Sequence, residues 1–192
     1  MPSIIDIFTT PIYKAELDLD IKKLELFCNS YKENNKGRDL SNMGGYQTND
    51  LPLNIPDTQP LIKEIEHHAS DFAKGFINRN KQSMDNMWVN INGYKDSNIP
   101  HNHPDTAIAG VFYIKTPKDC GNLTMQHPAS DVLNYYDYNL NIEKYNNYNA
   151  SIWKFKPVVN TLYLFPAWVK HYVTQNMNKE NRISISFNTK AL

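Results

Sequence analysis

The sequence predicts a mainly β fold in which two N-terminal helices pack on one side of an antiparallel sandwich or barrel. Three observations predict it. Two amphipathic helical patterns precede Lys81, strand-like runs broken by Pro, Gly, Asn or Asp follow from Met87, and no repeat of fixed period is visible. At 192 residues the chain can fill one sizeable core and is short for two, so 1–192 reads as a single domain.

Ile4 to Phe8 fits a short edge strand. Leu17, Ile21, Leu24, Phe27, Cys28 and Tyr31 then recur at helical spacing with charges between them, which predicts a helix closed near Gly37. Ser41 to Gln47 (SNMGGYQ) is a polar, glycine-containing loop. A second helix is expected from about Pro60 to Asn80, because Leu61, Ile65, Phe72 and Phe76 share a stripe and Pro60 suits a first turn. The strand candidates are MWVNINGY, AIAGVFYI, NLTMQH, IWKFKPVV, NTLYLF, VKHYVTQ and RISISFN. Between the third and fourth of these, Asp131 to Asn149 alternates Tyr and Asn without a clear period, and reads as a long surface excursion, either a lid or disordered.

Composition narrows the function classes. Twenty basic side chains balance twenty acidic ones, which leaves no electrostatic footprint for nucleic acid or a membrane surface. No stretch approaches the roughly 18 apolar residues that a membrane span needs, and the opening residues lack a basic region followed by an apolar run, so a cytoplasmic location is expected. Cys28 and Cys120 form no motif with each other or with histidine and read as two free thiols.

Three of the six histidines fall in two places: His101 and His103 in IPHNHPDT, and His171 in FPAWVKHYV. Side chains two apart on an extended chain share a face roughly 6.6 Å apart, so both can converge on one ion. In a jelly roll, a strand some 70 residues later can return beside the first, which makes His171 a candidate third ligand. A lone histidine is more often a satisfied core or loop residue; the pair followed by a distal partner favours a metal site. Asp105 is the nearest carboxylate, but four residues of extended chain span roughly 13 Å, so it reaches the same ion only if the backbone turns at Pro104.

The run from Asn181 to Phe187 alternates strictly. Arg182, Ser184 and Ser186 share one face, and Ile183, Ile185 and Phe187 the other. With the apolar face toward the helices, Arg182 points into the barrel, where it needs an anionic partner. A planar guanidinium matches a carboxylate bidentately and a nearby serine hydroxyl can donate to the same group, which describes a dicarboxylate pocket; an Asp or Glu of the protein is the other candidate partner.

PHNHPDTAIAGVFYI, FPAWVKHYV and ENRISISFN, with the Ser41–Gln47 loop and WVNINGY, resemble the 2-oxoglutarate- and iron(II)-dependent oxygenases of marine bacteria and their phages. The resemblance covers most of the chain and is densest over 88–188. It implies a double-stranded β-helix (jelly roll), with iron(II) and 2-oxoglutarate as cofactors. By position it assigns His101 and His171 to the metal, Arg182 and Ser184 to the far carboxylate of 2-oxoglutarate, Tyr113 to a hydrogen bond with that carboxylate, and Asn90 or Asn92 to a contact with the same cosubstrate. Arg182 stands eleven positions past His171, which agrees with the family's spacing of about ten. The family's second ligand is a carboxylate, and this chain has His103 there, so the second position is His103 or Asp105.

The activity implied is hydroxylation of a small-molecule or peptide substrate by O2, coupled to decarboxylation of 2-oxoglutarate, with a homodimer left open. Two other readings keep parts of the pattern: a three-histidine cupin-like dioxygenase or zinc hydrolase, and a non-catalytic jelly-roll binding module.

Overall fold

The computed structural model describes residues 3–77 and 81–192, apart from the side chains of 136–140. The expected edge strand at Ile4–Phe8 does not form. That segment has no strand partner, its apolar side chains are exposed, and Phe8 takes φ +56°. The first strand is instead β1 (Tyr13–Glu16). Leu17 is a buried connection rather than a helix start, because Asp20 caps α1 (Ile21–Asn34) by accepting from Lys23 N. The polar loop that follows contributes two short strands, β2 (Asn42–Met43) and β3 (Tyr46–Gln47). After a 3₁₀ turn at Pro56–Thr58 comes α2 (Gln59–Lys74), closed at Gly75. The tail of the predicted second helix, 78–80, lies outside the described residues.

Eight strands and one helix complete the chain. They are β4 (Gln82–Asn92), β5 (Ser97–His101), β6 (Ile108–Lys115), β7 (Leu123–Gln126), α3 (Ser130–Leu140), β8 (Ile152–Phe155), β9 (Thr161–Pro166), β10 (His171–Val173) and β11 (Arg182–Ala191). The helix α3 lies inside the Tyr/Asn-rich surface excursion, so that segment is ordered in its first half although its sequence shows no clear period. The helix stops where Asn141 takes a left-handed conformation. Strand β5 is also new: SNIPH carries no alternating apolar pattern, and its pairing comes from its neighbours β2 and β10.

All pairings are antiparallel, in two facing sheets ordered β1-β9-β6-β11-β4-β3 and β2-β5-β10-β7-β8. From β4 to β7 successive strands alternate between the sheets, and β9 to β11 do the same, which is the winding of a double-stranded β-helix. The alternation along the central strands divides two cores. Ile183, Ile185 and Phe187 of β11 and Met87, Val89 and Ile91 of β4 face the helices and join Leu61, Ile65 and Phe72 of α2. On the opposite face Val111, Tyr113, Tyr163, Phe165, Leu123 and Met125 fill part of the barrel interior. Fully burying each such side chain contributes about 1.5–3 kcal/mol, so the helix layer fixes which face of β4 and β11 is left for polar residues. No helix among the described residues is long and apolar enough to cross a membrane.

A candidate metal and cosubstrate site

Strands β5 and β10 bring two histidines together by register, since His171 is the direct cross-strand partner of His101. His103 lies beyond the end of β5, where its backbone N–H donates to Ala167 O at 3.0 Å and ties the loop to the turn before β10. One ligand atom from each of the three imidazoles lies within 4.8 Å of the others. Asp105 is exposed, takes φ +62°, and stands outside the cluster.

The second nitrogen of each ring is already engaged. His101 Nδ1 meets Ile99 O at 2.7 Å and His171 Nδ1 meets Val169 O at 2.9 Å, while His103 Nδ1 meets Asn188 Oδ1. A backbone carbonyl oxygen only accepts, so Nδ1 carries the proton and Nε2 keeps its lone pair in His101 and His171. Burial pulls all three imidazoles below the ordinary histidine pKa, and His171, against Phe165 and beside His101, is held at about 3. The cluster is therefore neutral at pH 7, and three convergent neutral imidazoles suit a divalent ion such as iron(II).

The same cavity holds Arg182. It opens to solvent and is lined by His101, His103, His171, Tyr113, Arg182 and Ser184. Arg182 is only 2% exposed and makes no ion pair among the described residues. Its NH1 donates to Cys120 O at 2.7 Å and its NH2 to Asn92 Oδ1 at 2.8 Å. Both acceptors are neutral; the Asp96 carboxylate favours the charged guanidinium from a distance but forms no ion pair with it, so the group retains capacity for a direct anionic partner. A close approach supports the guanidinium from behind: Gly121, at φ +88°, packs where a Cβ would stand 2.9 Å from Arg182 NH1 and 2.1 Å from Thr174 O.

Register places the other expected residues. Arg182 faces Asn92, and Ser184 lies between Asn90 on β4 and Tyr113 on β6. Asn90 Nδ2 donates to Ser186 Oγ at 3.0 Å, so Asn92, not Asn90, is the one that touches Arg182. Tyr113 is 2% exposed, and burial raises its pKa well above the ordinary phenol value, keeping it a neutral donor. The buried thiols Cys28 and Cys120 are unlinked. The sequence reading missed Asn188 and Trp88 beside His103, and Asn86 behind Asn188. Extending the β11 alternation by one more step, past Ser186, would have reached Asn188.

Three comparisons bear on this geometry. No curated protein matches the chain in sequence. Among solved structures, a Pseudomonas putida prolyl-4-hydroxylase superposes with a TM-score of 0.67 at 13% identity, covering 96% of this chain and 94% of that one. HygX from Streptomyces hygroscopicus, with nickel and 2-oxoglutarate bound, superposes with a TM-score of 0.64 at 10% identity, covering 95% and 84%. The viral collagen prolyl hydroxylase of Paramecium Bursaria Chlorella virus-1, in complex with 2-oxoglutarate, gives 0.58 at 13% identity over 94% and 96%. At such identities the likeness is one of fold, the double-stranded β-helix. The sequence match is to the family described as "Putative 2OG-Fe(II) oxygenase", over residues 86–188, more than half of the chain. The cofactors are accordingly iron(II) and 2-oxoglutarate, and the chain belongs to the 2-oxoglutarate- and iron(II)-dependent oxygenase family.

Proposed function

We propose that His101, His103 and His171 hold the iron through Nε2, and that Arg182, with Asn92, Ser184 and Tyr113, receives the far carboxylate of 2-oxoglutarate. One observation carries this reading: a buried guanidinium with no ion pair among the described residues shares a cavity with three neutral, convergent imidazoles. Bound iron(II) and 2-oxoglutarate supply the oxidising chemistry, in which the keto acid and O2 become succinate and CO2 as one oxygen atom enters a substrate C–H bond. The chain's own share is positional. Arg182 aims the cosubstrate with a planar fork, Tyr113 and Ser184 offer hydroxyl donors on the neighbouring strands, and the apolar residues Val111, Leu123, Phe165 and Val173 line the cavity beside them.

On this reading residues 1–192 act as one domain on a small molecule or a peptide, with O2 as co-reactant. Two reduced, buried thiols and the lack of an electrostatic footprint for nucleic acid support a cytoplasmic enzyme. The motifs quoted above support a kinship with enzymes of marine bacteria and their phages, whose site of action would be the host cytoplasm.

The test is a titration of 2-oxoglutarate into anaerobic, iron(II)-loaded protein, followed by the visible metal-to-ligand charge-transfer band. A saturable band, lost in His171→Ala and strongly weakened in Arg182→Ala, is expected. Confirmed iron binding without any band overturns the keto-acid site and returns the chain to the three-histidine cupin or zinc reading.

A further inference from the structure

His103 stands apart from its two companions. His101 and His171 lean on backbone carbonyls two residues earlier in their own segments, whereas His103 leans on a side chain, Asn188 of β11, 85 positions away. A primary amide can turn either its oxygen or its nitrogen toward a ring, so contact with Asn188 alone leaves the imidazole tautomer undetermined.

The bonds behind Asn188 remove that freedom. Asn188 Nδ2 donates to Asn86 Oδ1 at 2.9 Å, Asn86 Nδ2 donates to Asp50 Oδ2 at 3.0 Å, and Asp50 Oδ1 accepts from Arg38 NH2 at 2.6 Å. An ionised carboxylate only accepts. Asn86 must therefore turn its N–H toward Asp50 and its oxygen toward Asn188, and Asn188 must turn its N–H toward Asn86 and its oxygen toward His103. The ring is left with one arrangement, Nδ1–H outward and the Nε2 lone pair free. Arg38 closes the network from outside, with its guanidinium 5.9 Å from the Trp88 ring centroid and that ring 5.7 Å from His103.

We propose that Asn188, Asn86 and Asp50 form a directional relay of positioning residues that sets the His103 tautomer. This rests on the reading of His103 as a ligand. Partners of this kind orient a metal-bound imidazole and raise its basicity, and removing them typically weakens metal binding about 10–100-fold.

The experiment has two readouts. Long-range ¹H–¹⁵N correlation spectra of the metal-free protein report each imidazole tautomer, and equilibrium dialysis with nickel(II) reports affinity. Asn86→Leu, which touches no imidazole, is expected to give a mixed tautomer signal at His103 alone and a roughly tenfold weaker nickel affinity. Asn188→Asp puts an acceptor-only group directly on Nδ1, so it keeps the single tautomer, and in that background Asn86→Leu has no effect. An unchanged His103 signal and affinity in Asn86→Leu overturns the relay, as does an equal loss in both backgrounds, which would mark Asn86 as merely structural. His103→Ala separates the two readings: if it binds nickel like the wild type, the ligand assignment fails; if it does not and Asn86→Leu is silent, only the relay fails.

Discussion

His101 and His171 sit directly opposite each other across the β5–β10 ladder, seventy positions apart in the chain. Cross-strand partners lie about 4.5–5.5 Å apart at Cβ, so the register of two short strands, not a local motif, sets the spacing of two metal-ligand candidates. The ring centroids are 4.4 Å apart. A slip of one residue would turn one ring to the other face of the sheet.

That dependence gives a first prediction. His101→Ala and His171→Ala are expected to abolish measurable iron binding while leaving far-ultraviolet circular dichroism unchanged, because each residue stands at the end of a short strand and its backbone pairing does not depend on the ring. Metal content after gel filtration checks it.

Arg182→Lys is the sharper probe of the cosubstrate end. Lysine keeps the charge but loses the fork that bonds Cys120 O and Asn92 Oδ1. Breaking a buried charged contact costs about 2–5 kcal/mol, so the dissociation constant of 2-oxoglutarate should rise at least about 30-fold, with iron affinity in the absence of 2-oxoglutarate unchanged. Calorimetric titration separates the two.

The lowered histidine pKa values give a pH dependence with a definite sign. His171 titrates at 6.5 when unfolded and at about 3 in the folded, metal-free protein, so the unfolded chain binds more protons between those limits. Its contribution to stability is complete above about pH 6.5 and is lost as pH falls toward 3. At pH 5 the loss attributable to this residue is about 2 kcal/mol. Urea midpoints of the metal-free protein should fall between pH 7 and pH 5, and by less in His171→Leu.

Gly121→Ala tests the support behind Arg182. Its φ of +88° disfavours any side chain, and the added Cβ would meet Thr174 O at 2.1 Å and Arg182 NH1 at 2.9 Å. Backbone strain of this kind costs about 1–3 kcal/mol, so the melting temperature should drop by several degrees while 2-oxoglutarate binding weakens through displacement of the guanidinium.

Much of the fold is legible in the sequence where burial is one-sided. The strict alternation of Arg182 to Phe187 reads correctly because a helix layer demands apolar residues on one face only. Strand β5 is not legible, since Ser97–His101 contains a proline, has no alternating apolar face, and takes its conformation from β2 and β10. The segment at Ile4–Phe8 misleads in the opposite way, being apolar yet unpaired. At the candidate site, the histidine pair and Arg182 stand out because their chemistry is rare in a barrel interior. Asn86 and Asn188 do not, because asparagine is common in this chain and their meaning lies in bond direction, which no spacing encodes.

The loop of Ser41–Gln47 has a mechanical consequence. Its first strand, β2, pairs with β5 of the smaller sheet, and its second, β3, pairs with β4 of the larger one, beside Asn92 and Arg182. Gly44, at φ +69°, lets the chain cross between them against Asp96. The two sheets are thus sutured at the arginine end, and parting them there requires breaking a main-chain ladder, either β2 from β5 or β3 from β4. The loop acts as a hinge pin between the edges of the two sheets, holding the strand that carries Asn92 at a fixed distance from the strand that carries His101.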